Sequence, residues 1–469
     1  TGKPVWKRDI VAEHAGRNIS WKSALSPVID GDLVFVAGGG AGQSMLAFHK
    51  ETGALAWKSG DEKLTHATPV VATLHGVRQV IFMMQSGLVA VGANLSALWI
   101  LVANAWMQNP VGMVFNPETA RNEMVNFWEV LFNEVAVTKF LHTIASGFLL
   151  GSMFVVGISA YYLISNREAL LAKRSMLVAG IFGLLASLLV VYTGDTSARA
   201  LAKAQPVKFA AFEALYEGSE KAGLVAVGIL KESDTMIGEK AVNEFLFRIE
   251  IPGFLSVMTG GTSDAFVPGI YDLVNGNAGR GLLPVSEKME RGKRARDMLI
   301  EYKAARKNND TQKAESIAAL FTDKKFNEEY FRYFGYASLN KPEDVIPGVK
   351  MAFYTFHVMV MLGFLFILIF FLTLVFLFRG TLQKNRWFLW VALFSILLPY
   401  VAGELGWVLA EMGRQPWIIQ DLMPVTTAVT QVSTGSVITT FILFAVLFTV
   451  LLIAEVSIMI RQIKIGPKH

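Results

Sequence analysis

The chain has 469 residues, of which 53% are hydrophobic and 17% charged, with mean hydropathy +0.43. That is too apolar for a soluble globular domain and ordinary for a protein that crosses a membrane several times. The formal charge of +5 is small and gives no reason to expect nucleic acid. The absence of cysteine excludes disulfides, thiolate metal sites and thiol catalysis, so any metal must be held by His, Met, Glu or Asp.

The first ninety residues read as a small β-rich unit. Thr1-Gly2-Lys3-Pro4-Val5-Trp6 recurs as Thr52-Gly53-Ala54-Leu55-Ala56-Trp57, and Ser26-Pro27-Val28 as Thr68-Pro69-Val70. Strand-like stretches lie between them, such as Asp32–Ala37 and Val80–Met83. The period and the Thr-Gly-x-x-x-Trp motif resemble the blades of PQQ-type β-propellers. At most two blades are present, which leaves open strand edges.

Apolar runs long enough to span a bilayer follow at about 88–106, 135–164, 176–193, 350–378, 387–410 and 437–460. Arg167, Lys173 and Arg174 follow the second run, Arg379, Lys384 and Arg386 the fourth, and Arg461, Lys464 and Lys468 the sixth. The positive-inside rule makes these connections cytoplasmic. Residues 107–134, a long insertion at about 195–345, and residues 411–436 then face outward. The insertion carries a charged, helix-forming stretch around Glu287–Lys325 and reads as a solvated cap.

A carboxylate inside such a run marks a metal, proton or substrate site by default, because facing lipid costs several kcal/mol. Glu404 is such a residue, in Leu398-Pro399-Tyr400-Val401-Ala402-Gly403-Glu404-Leu405-Gly406-Trp407. Of seven histidines only His142 and His357 lie in the apolar runs, with Met359 two residues after the latter. By the topology above, His142, His357/Met359 and Glu404 each sit about eight residues, or roughly 12 Å, from the outer end of a helix. His357 and Met359 are about 200° apart around a helix, so only one can face a shared cofactor. For Met359 core packing is the ordinary role, since the chain has 18 methionines and a helical methionine usually fills the core.

The block Gly403-Glu404-Leu405-Gly406-Trp407 through Gly413-Arg414-Gln415-Pro416-Trp417 resembles the signature of subunit I of the cytochrome bd quinol oxidases. Also similar are Asn94-Leu95-Ser96-Ala97-Leu98-Trp99, Trp106-Met107-Gln108-Asn109-Pro110, Lys139–Gly147 and Gly194-Asp195, so the resemblance covers roughly Gly92 to Pro467. It implies a mainly α, polytopic membrane bundle with a long Q-loop (195–345) on the periplasmic side of the bacterial inner membrane. It implies oxidation of quinol and reduction of oxygen to water, with generation of a proton motive force. His142 and Met359 would be the axial ligands of a low-spin haem b, and Glu404 the ligand of a high-spin haem b. Trp407 and Arg414 belong to the same block, and His357 stands near the low-spin haem where relatives carry arginine. Lys208 and Glu213 match a pair linked to quinol, and Ser96 and Asn104 match residues of a proton path. A solvated surface pair is the other reading of Lys208 and Glu213, which are five apart and would not share a helical face. Partners implied are subunit II and a small single-helix subunit.

The resemblance starts at the family's fourth helix, so the histidine that ligates haem d would lie outside this chain. With Thr1 in place of Met and no visible signal peptide, an incomplete copy is expected, of doubtful activity by itself, with a chimeric join near Leu88–Gly92. The domains expected are a propeller fragment at 1–90 and the membrane domain at 91–469. Alternative functions are a membrane-anchored PQQ-dependent dehydrogenase and a non-catalytic scaffold or sensor.

Overall fold

The structure, a computed structural model, describes residues 4–16, 26–62, 68–74, 77–82 and 85–466. The chain divides into two compact units, Thr1–Ile100 and Leu101–His469.

In the first unit a short helix, α1 (Ile10–Glu13), precedes a four-stranded antiparallel meander. Its strands are β1 (Val28–Asp30), β2 (Leu33–Gly40), β3 (Gln43–His49) and β4 (Leu55–Ser59). β2 and β3 are largely buried, around a small core of Val36, Leu46 and Phe48. Trp6, from the first copy of the repeated motif, donates its indole N–H to the Lys50 carbonyl (2.6 Å), beside the turn of the second copy. A separate hairpin follows, β5 (Val70–Leu74) and β6 (Val77–Ile81). Four antiparallel strands are what one propeller blade contains. The described strands form one such sheet and one hairpin, and no propeller. Thr1–Lys3 and Met83 lie outside the described residues.

The first apolar run forms α2 (Gln85–Gln108), a continuous helix through the expected join at Leu88–Gly92. A hairpin, β7 (Met113–Asn116) and β8 (Arg121–Met124), and a short α3 (Phe127–Leu131) lead to α4 (Glu134–Ile164). Asn133 caps α4 through its side chain, which accepts from the Val135 amide and donates to the Asn109 carbonyl. α5 (Ala169–Ala204) returns antiparallel and packs on α4, and both helices bury many small side chains, among them Ala145, Ser152 and Ala160 on α4 and Ala172, Ala179 and Ala186 on α5. Small residues let membrane helices approach closely where hydrophobicity itself gives no preference. Gly183 shows such an approach between α5 and the later helix that carries Phe370: a Cβ there would stand 2.4 Å from that ring.

The insertion is a folded cap. α6 (Pro206–Phe212) opens it, followed by a long hairpin of β9 (Leu224–Ile237) and β10 (Lys240–Ile251). α7 (Phe254–Gly260), α8 (Ile270–Asn275), α9 (Val285–Lys307), α10 (Thr311–Thr322) and α11 (Lys324–Glu329) complete it. The charged Glu287–Lys325 stretch is helical as expected, but it also has an apolar side: Ala295, Leu299, Tyr302, Ile317 and Phe321 pack on Phe115 and Phe331.

α12 (Val349–Phe378) re-enters the bundle beside α5. α13 (Arg386–Phe394) and α14 (Leu398–Met412) form one span broken by a 3-10 turn at Ser395–Leu397. Pro399 explains the break: it has no N–H for the Ser395 carbonyl and its ring crowds the preceding turn. β11 (Trp417–Ile419) and β12 (Met423–Pro424) precede the last helix, α15 (Thr434–Ile465). Five helical segments among the described residues are long and apolar enough to cross a membrane, at the second to sixth predicted runs.

Candidate functional site at the capped end of the helix bundle

Helices α4, α5, α12 and α14 pack in a ring, each against the next, with α14 closing on α4. His142 on α4 leans on α5, where its Nδ1 lies 3.1 Å from the Thr193 hydroxyl. That hydroxyl donates to the Leu189 carbonyl (2.8 Å), so its oxygen is left to accept from Nδ1–H. Nε2 then keeps its lone pair, the arrangement found in metal-ligating histidines. Met359 on α12 leans on α14: a Cβ at Gly406 would stand 3.2 Å from its sulfur. His357 turns the other way, as the helical spacing requires. It is buried, with Nδ1 2.9 Å from the Phe353 carbonyl and Nε2 2.9 Å from the Val225 carbonyl of β9. Both ring nitrogens are committed to the protein, so of the two candidates only Met359 has its donor atom available.

Glu404 and Trp407 lie on the exposed side of α14, and no donor among the described residues reaches the Glu404 carboxylate. Asn104 fixes the relative levels of these helices. Its amide donates to Glu411 (2.9 Å) and its carbonyl oxygen accepts from Gln108 (2.6 Å) and Lys139 (3.3 Å). Lys139 on α4 and Glu411 on α14 are therefore at one depth. Counting inward, His142 is three residues deeper, Gly406 with Met359 five and Glu404 seven. At 1.5 Å per residue the three candidate ligands span about 6 Å of depth. Ser96, earlier on α2, is exposed.

Above this level is a polar cluster that the sequence shows only in pieces. Arg414 pairs with Glu411 at 2.5 Å, while its Nε and Nη1 are buried without a partner among the described residues. Lys208 donates to the Ala410 carbonyl (3.0 Å) and is 5% exposed. Burial, with Lys139 and Arg414 nearby, holds its pKa well below that of an ordinary lysine. Gln205, Lys208, Arg414, Trp417 and Gln420 line a small cleft.

Glu213 ends α6 at 2% exposure, and neither carboxyl oxygen has a hydrogen-bond partner. Burial alone pushes its pKa up to about 8. The surface-pair reading of Lys208 and Glu213 is thus overturned, because the cap folds over both. Among the described residues no hydrogen bond or ion pair joins the two, as their spacing implies.

Glu411 and Lys139 are the residues that sequence reasoning passed over. A signal existed for each. Glu411 lies seven residues after Glu404, on the same helical face, and Lys139 is a lone cation in the first turns of an apolar helix.

Membrane-length helices that carry an imidazole, a thioether and a carboxylate within about 6 Å of depth, under a cap holding a buried carboxyl, define a multi-pass membrane protein with a polar site at one end of its bundle. Residues 72–467 match the family model described as cytochrome bd terminal oxidase subunit I. The chain is 34% identical over 392 residues to cytochrome bd-II ubiquinol oxidase subunit 1 of Escherichia coli, covering 82% of this chain and 73% of that one. It is 30% identical over 384 residues to cytochrome bd ubiquinol oxidase subunit 1 of Bacillus subtilis, covering 81% and 67%. The bd oxidase structure from Geobacillus thermodenitrificans superposes with a TM-score of 0.59 at 25% identity, over 81% of this chain and 69% of that one. The chain belongs to the cytochrome bd oxidase subunit I family, as a multi-pass bacterial membrane protein and subunit of a terminal respiratory oxidase. The match begins twenty residues before Gly92 and takes in the β5–β6 hairpin. Membership sets aside the dehydrogenase alternative.

Proposed function

We propose that this chain oxidises quinol at the outer face of the bacterial inner membrane and passes the electrons inward to reduce oxygen, so that charge separation builds a proton motive force. The observation that carries this reading is Glu213, a buried carboxyl with a raised pKa and two unpartnered oxygens. Oxidation of a quinol releases two protons with two electrons, and such a carboxyl, once ionised, accepts a proton from a quinol hydroxyl. Lys208, on the cleft beside Arg414, orients the substrate oxygen.

The donor set suits haem. His142 Nε2 and the Met359 sulfur would hold a low-spin haem b, a donor combination that raises the potential. Glu404 would hold a high-spin haem b, and a haem d would complete the oxygen-reducing site. Bound haem supplies the one-electron redox chemistry between quinol and oxygen. The unpaired Arg414 nitrogens and the surplus of Lys139, Lys208 and Arg414 over Glu411 fit the propionates of a haem. His357 acts near that haem through the protein, holding β9 on α12. Trp407 flanks Glu404, and Ser96 and Asn104 belong to the inward proton path. The cap, 195–345, is the Q-loop on the periplasmic side, and the partners are subunit II and a small single-helix subunit. Residues 1–71, outside the family match, retain a propeller-blade reading on their meander and repeat alone; none of the comparisons supports it.

The test is Glu213→Ala in the assembled oxidase. Quinol oxidation falls while the haem spectrum persists; an unchanged rate overturns the assignment.

A further inference from the structure

The hairpin β9–β10 has two faces of opposite fate. On one, Val225, Leu230 and Phe245 turn toward α12. The Leu230 amide donates to the Tyr354 hydroxyl (2.9 Å), the Val225 carbonyl meets His357, and the Phe245 ring lies 5.6 Å from that of Phe353. On the other, Ile229 pairs across the strands with Phe247 and Val227 with Ile249, and Ile251 follows at the strand end. Val227, Ile229, Phe247, Ile249 and Ile251 are each between 41% and 54% exposed. A contiguous ladder of large apolar side chains facing water is a feature that soluble hairpins avoid.

The bonds to α12 fix the depth of this ladder. The far end of the hairpin is tied to the segment before the span: Lys240 donates to the Ile346 carbonyl, and Glu239 pairs with Lys341. Its other end is tied to Phe353, Tyr354 and His357. The hairpin therefore runs along the α12 axis, with its charged end outward and its apolar end inward. Counting about 20 residues back from Phe378, the length that crosses the hydrocarbon, reaches Val358. The ladder thus sits where hydrocarbon meets headgroups, continuous with the exposed Val358 and Met361 of α12. The chain leaving β10 keeps the pattern: α7 packs on α5 and exposes Phe254 and Val257.

We propose that the β9–β10 hairpin is an interfacial membrane anchor, whose Val227/Ile229/Phe247/Ile249/Ile251 face is seated in the outer-leaflet lipid. The occupant is lipid rather than a protein partner because the polarity gradient follows the span axis. The inference rests on the membrane spans and not on the quinol assignment. Its function is to hold the cap, and with it α6, at a fixed height over the bundle.

The absence of cysteine makes a direct test simple. A nitroxide is attached singly at Phe247→Cys, Ile249→Cys and Glu239→Cys in the assembled oxidase, in nanodiscs of phosphatidylethanolamine and phosphatidylglycerol, with thiols of other subunits removed. Collision with oxygen is compared with collision with a water-soluble nickel chelate. At Phe247→Cys and Ile249→Cys oxygen should dominate several-fold, and at Glu239→Cys nickel should dominate. Nickel dominance at the first two positions places the ladder in water, and low collision with both reagents places it under a protein partner. Either result overturns the proposal. An unaltered haem spectrum confirms that each labelled protein is assembled, and the two ladder positions serve as independent variants.

Discussion

The ligand level inside the bundle and the polar cluster above it are built on opposite plans. At the ligand level each donor is held on one side only, His142 by Thr193 and Met359 against Gly406, and the donor atom is left available. In the cluster the groups are buried and interlocked: Asn104 alone joins Gln108, Lys139 and Glu411, and Glu411 holds Arg414. A polar group buried without a partner loses its solvation, so networks of this kind are satisfied throughout unless something else is meant to complete them. Among the described residues, atoms of Trp106, Gln108, Gln205, Glu213 and Arg414 are the exceptions, and of these Glu213 and Arg414 carry the ionisable groups to which the proposed function assigns a substrate or cofactor. The lesson is that availability, more than residue type, separates a ligand from a scaffold. His357 makes the point, since it is a histidine at the right depth with both nitrogens already taken.

The sharpest way to break this contrast is to remove a donor. His142→Ala or Met359→Leu should abolish the low-spin b-type band in reduced-minus-oxidised spectra, and an unchanged band in both would end the axial assignment. Next comes the pair on α14. Glu404→Gln should bleach the high-spin band, whereas Glu411→Gln should retain it and instead slow quinol turnover by loosening Arg414; the reverse outcome would exchange their roles. Glu213→Gln should lower quinol oxidation by about 10² or more, the usual scale for a positioned base, with haem content intact. Because that base works ionised, the wild-type rate should climb with pH through about 8, and the variant should lose this limb.

The same group carries a smaller stability effect. A carboxyl whose folded pKa lies above its unfolded value stabilises fully below the unfolded pKa, and that contribution is lost as pH rises through about 8. The thermal midpoint of the wild type should therefore decline over the window between the ordinary carboxyl range and about 8, more than that of Glu213→Gln. Smallest of all, Gly406→Ala should shift the low-spin band or its potential without removing it, because the added methyl displaces a flexible thioether by only a few tenths of an ångström.

Much of this molecule was legible from composition and spacing. All six apolar runs fall in helices, and five of them, in α4, α5, α12, the α13–α14 pair and α15, are long and apolar enough to cross a membrane, because a helix that must satisfy its own backbone in lipid needs a continuous apolar run of fixed length. The opposed directions of His357 and Met359 follow from helical geometry, and the family followed from short motifs around Glu404, His142 and Trp106.

Other features depend on contacts between segments far apart in the chain. Hydropathy does not distinguish α4 from α15, yet the apolar stretch of α4 is 50% buried and that of α15 not at all, because lipid and protein interior look alike to an apolar side chain. Lys208 and Glu213 read equally well as surface residues until the cap folds over them. Glu411 gains its place from Asn104, 307 residues away, and His357 from a carbonyl 132 residues away. Sequence determined which segments cross the membrane and which donor types they carry, since both are local properties of the chain. Tertiary structure decided which donors stay available and which polar groups are buried, since that depends on which distant segment occupies the neighbouring space.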